Sequence, residues 1–160
     1  MTRNMPAFEI KPADTNQAFE AFKGLIREYQ TALDLDLCFQ NFDAELQNLA
    51  RMYGPPEGKA FIAWKDNDPV GCVAVRKLDH GISEMKRLYV RPAVRNTGLG
   101  RTLADLAVIT ARSLGYAKMR LDTLASMAEA VRLYQSMGFR EIDPYRPNPL
   151  ESPIFMELDL

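Results

Sequence analysis

Histidine and cysteine are scarce in this chain: His80 is the sole histidine, and Cys38 and Cys72 are the two cysteines among 160 residues. A Ser-His-Asp relay, a Cys-His pair and zinc-ligand spacing are therefore all missing, and no metal is expected. His80 stands in the turn-like "DHG" and reads as a solvent-exposed side chain. The cysteines lie far apart in sequence, so no disulfide is inferred and reduced thiols are expected. Nowhere do about 18 apolar residues run together, as a membrane span requires. The segment "MTRNMPAFEIKPAD" has no apolar stretch of signal-peptide length. A cytoplasmic protein is expected. Charge of one sign is lacking too, with 20 Lys+Arg against 21 Asp+Glu. No general basic field exists to hold nucleic acid or an anionic membrane, so any bound anion must be held locally.

What is present suits one globular domain over residues 1–160. Hydrophobic residues make up 47% and charged residues 26%, and this length can fill a single core. "AFEI" (Ala7 to Ile10) reads as a short strand, and Asp14 with Gln17 as a helix start. Ala18, Phe22, Leu25, Ile26, Tyr29 and Leu33 recur at steps of three and four, the stripe of an amphipathic helix. A second helix is expected from Asp43 to Tyr53. Three strands follow as an antiparallel meander: Lys59 to Trp64, Val70 to Val75 and Ile82 to Val90. The next helix carries Leu99, Leu103, Leu106, Ala107, Thr110 and Leu114 on one face and stops at Gly115. "AKMRLDT" (Ala117 to Thr123) is a strand that should return parallel to Ile82–Val90. Ser126 with Glu129 reads as a capping box for a helix ending at Gly138. "FREI" and "IFMELDL" supply the last strands, separated by the proline-rich loop "DPYRPNPLESP".

The stretch "VRNTGLGR" (Val94 to Arg101) opens the central helix. Unpaired N–H groups and the macrodipole make a helix N-terminus an anion site. Gly98 and Gly100 permit unusual dihedrals and close approach of a ligand, and Arg95 and Arg101 bring positive charge. A plain strand-to-helix turn would also use these residues. The spacing is neither that of a P-loop nor that of a dinucleotide fingerprint, whose third glycine position is Leu103 here.

The strand before the turn has uneven spacing. Met85 and Leu88 are three apart, where a regular strand places inward residues at even steps, and a β-bulge would reconcile them with Val90. A bulge frees main-chain groups, so the gap toward the parallel neighbour could receive an extended ligand with its phosphates at the glycine turn.

"LYVRPAVRNTGLGRTL" resembles the acetyl-CoA signature of the GNAT superfamily of N-acetyltransferases, matching at Leu88, Val90, Pro92, Arg95, Gly98 and Gly100. "AVRLYQSMGFREI" is similar to the family's later motif, and the resemblance covers Ile82 to Ile142. It implies an α+β fold with a mixed, mostly antiparallel sheet, splayed between its fourth and fifth strands, and helices on both faces. Acetyl-CoA would lie in the splay. Its pyrophosphate would rest on Arg95, Asn96, Thr97, Gly98, Leu99 and Gly100, with Arg101 and Thr102 adjoining, and its pantetheine on Leu88, Tyr89 and Val90. One position departs from the family: Met127 stands where many members have an asparagine.

The same resemblance implies direct acetyl transfer to an amine. Tyr134 occupies the position of the general acid that protonates the departing thiolate; as a bare sequence feature it is also a core aromatic. Glu84 occupies that of a general base; it is equally a strand carboxylate beside Lys86 and Arg87. A main-chain N–H near Tyr89 would meet the oxyanion. The acceptor would enter between Gln30–Phe42 and Pro144–Ser152. There Asp34 and Asp36 could receive an ammonium group, Arg146 or Lys86 a carboxylate, and Tyr29, Tyr145 and Asn148 could line the pocket. The expected acceptor is a small metabolite amine such as an amino acid; a protein N-terminus or lysine, and a non-catalytic acyl-CoA sensor, are the alternatives. A homodimer accords with the family.

Overall fold

The computed structural model describes residues 8–33 and 42–160, so Asp34, Asp36 and Cys38 lie outside the described residues. Alternating apolar residues and short polar turns build the meander as the sequence predicts. β2 (Lys59–Lys65) and β3 (Asp68–Asp79) join through Asp66 and Asn67, both at positive φ, the backbone that a two-residue hairpin requires. β3 then turns at Gly81 (φ 71°) into β4 (Ile82–Val90), whose ends match the expected strand. β1 spans Glu9–Pro12 and pairs with β2 from Glu9↔Trp64 to Pro12↔Phe61; Ala7, where the strand was expected to begin, lies outside the described residues.

α1 (Asn16–Leu33) is capped by Thr15, whose hydroxyl accepts the Ala18 N–H at 3.1 Å, one residue after the expected Asp14. The single helix expected from Asp43 to Tyr53 is two short ones, α2 (Phe42–Gln47) and α3 (Leu49–Met52). They break at Asn48, whose amide donates to the Ala44 carbonyl at 2.8 Å and competes with the helical ladder. α4 (Leu99–Ser113) runs between Gly98 (φ 85°) and Gly115 (φ 89°), the left-handed residues that open and close it.

β5 (Lys118–Leu124) returns parallel to β4, and α5 (Ala128–Ser136) follows. Its capping box does not form: Met127 occupies the cap position and no side chain caps the helix. The turn is tied from outside the helix, with Met127 N–H on the Leu124 carbonyl (2.9 Å) and Ala125 N–H on that of Ser152 (3.0 Å). β6 (Arg140–Ile142) and β7 (Pro153–Asp159) complete a sheet of order β1-β2-β3-β4-β5-β7-β6.

Helices cover both faces of this sheet. On one, Leu99, Leu103, Ala104, Ala107 and Ala111 of α4 pack on Val73, Val75 and Met85, with Tyr134 and Phe139 in the same cluster. On the other, Phe22, Leu25 and Ile26 of α1 pack with Tyr53 on Ile62, Cys72 and Ala74. The sheet splays at its centre. β4 and β5 pair only at Ile82↔Lys118, Ser83↔Met119 and Glu84↔Arg120, although β4 runs on to Val90 and β5 to Leu124. The mixed, mostly antiparallel fold splayed between its fourth and fifth strands is thus the one the resemblance implied. Among the described residues no helix is long and apolar enough to cross a membrane.

Leu103 is fully buried beneath the central strands. Leu103→Ala should lower unfolding free energy by about 2–5 kcal/mol, read as a reduced midpoint at unchanged slope in urea titration; a loss well under 1 kcal/mol would contradict this packing.

Candidate active site

The β-bulge expected from the Met85–Leu88 spacing lies at Arg87. β3 pairs Cys72↔Tyr89 and then Ala74↔Lys86, so Val73 faces both Arg87 and Leu88. Arg87 takes φ 58°, a left-handed conformation that costs a side-chain-bearing residue about 1 kcal/mol. Contacts with Cys72 and Glu45 hold it there. The Cys72 thiol donates to the Arg87 carbonyl at 3.2 Å, and the Arg87 guanidinium donates to both carboxylate oxygens of Glu45 on α2, at 2.7 and 3.1 Å. That ion pair is buried, and it raises the guanidinium pKa while lowering that of Glu45. The bulge resets the alternation, so Met85, Leu88 and Val90 all pack on the α4 side while Tyr89 packs on the α1 side.

Beyond Glu84↔Arg120 the β4 main chain has no ladder partner on β5, and a cavity of about 570 Å³ opens beside it. Leu88, Tyr89 and Val90 form one wall; Arg95, Asn96, Gly98, Leu99 and Gly100 form the end at the α4 N-terminus. Met127 to Ala130 and Leu133 face them, and Tyr29 of α1 also reaches the cavity. Left-handed Gly98 turns the chain there without a side chain over the opening.

Other residues of the turn serve its architecture. Thr97 Oγ1 donates to the Val94 carbonyl at 2.6 Å and the Thr102 hydroxyl to the Gly98 carbonyl at 3.1 Å. Arg101 is engaged with Asp105 and with Ser136 Oγ, and the Arg95 Nε–H donates to the Val90 carbonyl at 3.1 Å. Tyr134 of α5 is buried edge-on to Phe139, with ring centroids 5.7 Å apart. Its hydroxyl has no hydrogen bond among the described residues, and burial, reinforced by the charges of Tyr29 and Asp122, pushes its pKa well up. It stays protonated at neutral pH.

A second cavity, of about 1150 Å³, lies between α2–α3 and the 143–152 loop, against β3. Arg51, Arg76, Lys77, Arg146 and Asn148 are among its lining residues. Under it lies Glu84, which is fully buried. Its carboxylate accepts from Arg76 Nε at 3.0 Å, from the Tyr145 hydroxyl at 2.7 Å, and from the Arg146 guanidinium. Burial opposes ionisation, but the charges of Lys86, Arg146 and Arg76 outweigh it and hold the Glu84 pKa at about 2. Lys86 next to it is buried and pushed down to about 8 by desolvation, against the pull of Glu84 and Asp122. Asp122 accepts from the Asn148 amide at 3.3 Å.

Many of the sequence-predicted residues fall into two groups, whereas Thr97, Arg101, Thr102 and Tyr134 line neither cavity. One is the splay cavity with its glycine turn; the other is Glu84 with Lys86, Tyr145 and Asn148. Arg51, Arg76 and Asp122 were not singled out from the sequence. The register Arg76↔Glu84 and the even step from Arg120 to Asp122 would have found the latter two once the bulge was placed. Among the described residues, no group of three or more His, Cys, Asp or Glu could hold a metal ion.

Residues 20–139 match the model of the Acetyltransferase (GNAT) family. An uncharacterized N-acetyltransferase of Schizosaccharomyces pombe is 43% identical over 146 residues, 90% of each chain. An acetyltransferase of Staphylococcus aureus superposes with a TM-score of 0.79 at 23% identity, covering 96% of this chain and 99% of that one. A GNAT acetyltransferase of Elizabethkingia anophelis, solved with acetyl-CoA bound, gives 0.67 at 22% identity, covering 99% and 100%. The chain belongs to the GNAT family of acetyltransferases, and is an acyltransferase by class.

Glu84 links the site to pH. Its pKa in the fold is depressed from 4.5 to about 2, so its contribution is complete above the ordinary value and is lost as pH falls between them. Stability should drop by on the order of 3 kcal/mol across that interval from this group alone. Urea unfolding at pH 6 and pH 3 should show a smaller drop in Glu84→Gln than in the parent; equal drops would refute the assignment.

Proposed function

We propose that the protein is an N-acetyltransferase that takes the acetyl group from acetyl-CoA and passes it directly to the primary amine of a small metabolite in a ternary complex. The observation that carries this is the continuity of the splay cavity. Main chain without a ladder partner at Leu88 to Val90 leads to a left-handed glycine turn at a helix N-terminus, which suits an extended ligand ending in phosphates.

Acetyl-CoA supplies the activated acetyl thioester. The N–H groups of the Gly98–Gly100 turn would hold the pyrophosphate, as the unpaired donors of a helix end do. The main chain of Leu88 to Val90 would orient the pantetheine arm, and a main-chain N–H near Tyr89 would stabilise the charge that develops on the acetyl oxygen. Tyr134, kept protonated by burial, would give its proton to the departing sulfur as the neutral amine bonds the acetyl carbon and the C–S bond breaks, and the surplus proton on the new amide nitrogen would return through solvent to the tyrosinate. Glu84 is better suited to positioning than to the general-base role expected of it. A carboxylate held at a pKa of about 2, against its burial, by the Lys86 ammonium and two guanidinium groups has little proton affinity left, and it fixes Arg76, Arg146 and Tyr145 beside the acceptor cavity.

Thermal unfolding should show stabilisation by acetyl-CoA well beyond that by ATP or NAD at equal concentration, and equal shifts would remove the cofactor assignment. Tyr134→Phe should cut kcat by about 10² while CoA affinity stays within about twofold. A rate left intact by that change would end the general-acid role.

A further inference from the structure

Among the described residues that line the acceptor cavity, positive charge is in excess once their ion pairs are counted. Glu45 is taken by Arg87, and Lys77 is paired with Glu57 at 3.3 Å. Glu84 is then one carboxylate shared between Arg76 and Arg146. Arg51, on the last turn of α3, makes no side-chain ion pair with a described residue. Among the described residues, three guanidinium groups thus face one carboxylate. Arg76 and Arg146 keep only 26% and 19% of their side-chain surface exposed, so their attraction for an anion is less damped by water than that of surface residues. Guanidinium forks match the two oxygens of a carboxylate.

The negative counterpart lies at the splay. Asp122 follows Arg120, the last β5 residue paired with β4, by two positions and so shares its face of the sheet. Its hydrogen-bond partner Asn148 lines the acceptor cavity. Its charge acts on Arg146 and Lys86, on the acceptor side, and on Tyr29, which lines the splay cavity. Asp122 therefore stands between the two cavities, where an amine must wait to meet a thioester.

We infer that the acceptor is a primary amine that also carries a carboxylate, with the carboxylate bound by Arg51, Arg76 and Arg146 and the ammonium end by Asp122. This rests on the acetyl-transfer reading above and adds to it the class of acceptor and the residues that choose it. The arrangement excludes plain polyamines, whose second ammonium would meet the arginines, and it needs no basic docking face of the kind a protein or nucleic-acid substrate would demand.

The test compares the twenty proteinogenic amino acids and β-alanine with decarboxylated counterparts such as cadaverine, agmatine, phenethylamine and tyramine, and with phosphoethanolamine, by thiol release from acetyl-CoA. At least one carboxylated amine should exceed its decarboxylated counterpart by 10-fold or more in kcat/KM. For that amine, Arg51→Gln and Arg146→Gln should raise KM about 10-fold with kcat within twofold, and Asp122→Asn should weaken its binding in calorimetry with CoA present. Each variant should keep the parent's far-UV spectrum and its thermal shift with acetyl-CoA. Equal or better use of the decarboxylated amines, preference for phosphoethanolamine, or discrimination unaltered in the arginine variants would overturn the inference. So would a protein stabilised by acetyl-CoA that acetylates no carboxylated amine. A protein that acetyl-CoA does not stabilise fails at the earlier step, the cofactor assignment itself.

Discussion

The left-handed residue Arg87 is the constraint on which the rest of the site depends. An isolated arginine avoids φ 58°, so the bulge exists because its surroundings over-determine it. Glu45 takes the guanidinium by two hydrogen bonds in a buried pair, and Cys72 satisfies the carbonyl that the ladder has released. Without Glu45 a desolvated cation would remain under α2, a cost of about 3–5 kcal/mol for buried pairs in general. Glu45 also lines the acceptor cavity, while the bulge it pins shapes the splay cavity. A single ion pair therefore couples the two sides of the site.

From the bulge the other features follow in order. The phase of β4 shifts, so apolar Leu88 and Val90 reach the α4 side together with Met85. Pairing with β5 stops at Glu84, which leaves the main chain of Leu88 to Val90 open to the same cavity as the α4 N-terminus.

Much of this was legible in the sequence because it is local. The uneven Met85–Leu88 step, the strand limits at Ile82 and Val90, and the glycines flanking α4 depend on neighbours a few residues apart, and each appears in the structure as expected. What escaped was set over long separations. Ser126 and Glu129 have capping-box spacing, yet the turn before α5 is fixed by Ala125 bonding to Ser152, which local pattern does not report. Helix periodicity spanned Asp43 to Tyr53, but Asn48 found a better partner in its own backbone. The environment of Glu84 was hidden for the same reason. Arg76 and Arg146 lie 8 and 62 residues away in sequence, and only the register of β3 on β4 and the course of the last loop bring them to it.

The arginines, in turn, require Glu84. The like charges of Arg76 and Arg146, held on one carboxylate, repel each other, and partial burial removes water that would screen them. One shared carboxylate offsets that repulsion without cancelling both positive charges, so the two arginines keep their places beside it. Protonating Glu84 would remove the offset, and its depressed pKa is the measure of how strongly the pair resists. The same low proton affinity that suits Glu84 to hold Arg76 and Arg146 unsuits it for taking a proton from an amine. Among the described residues Asp122, unlike Glu84, has an amide on its carboxylate and no guanidinium, which is why the ammonium end of the acceptor inferred above is assigned to it.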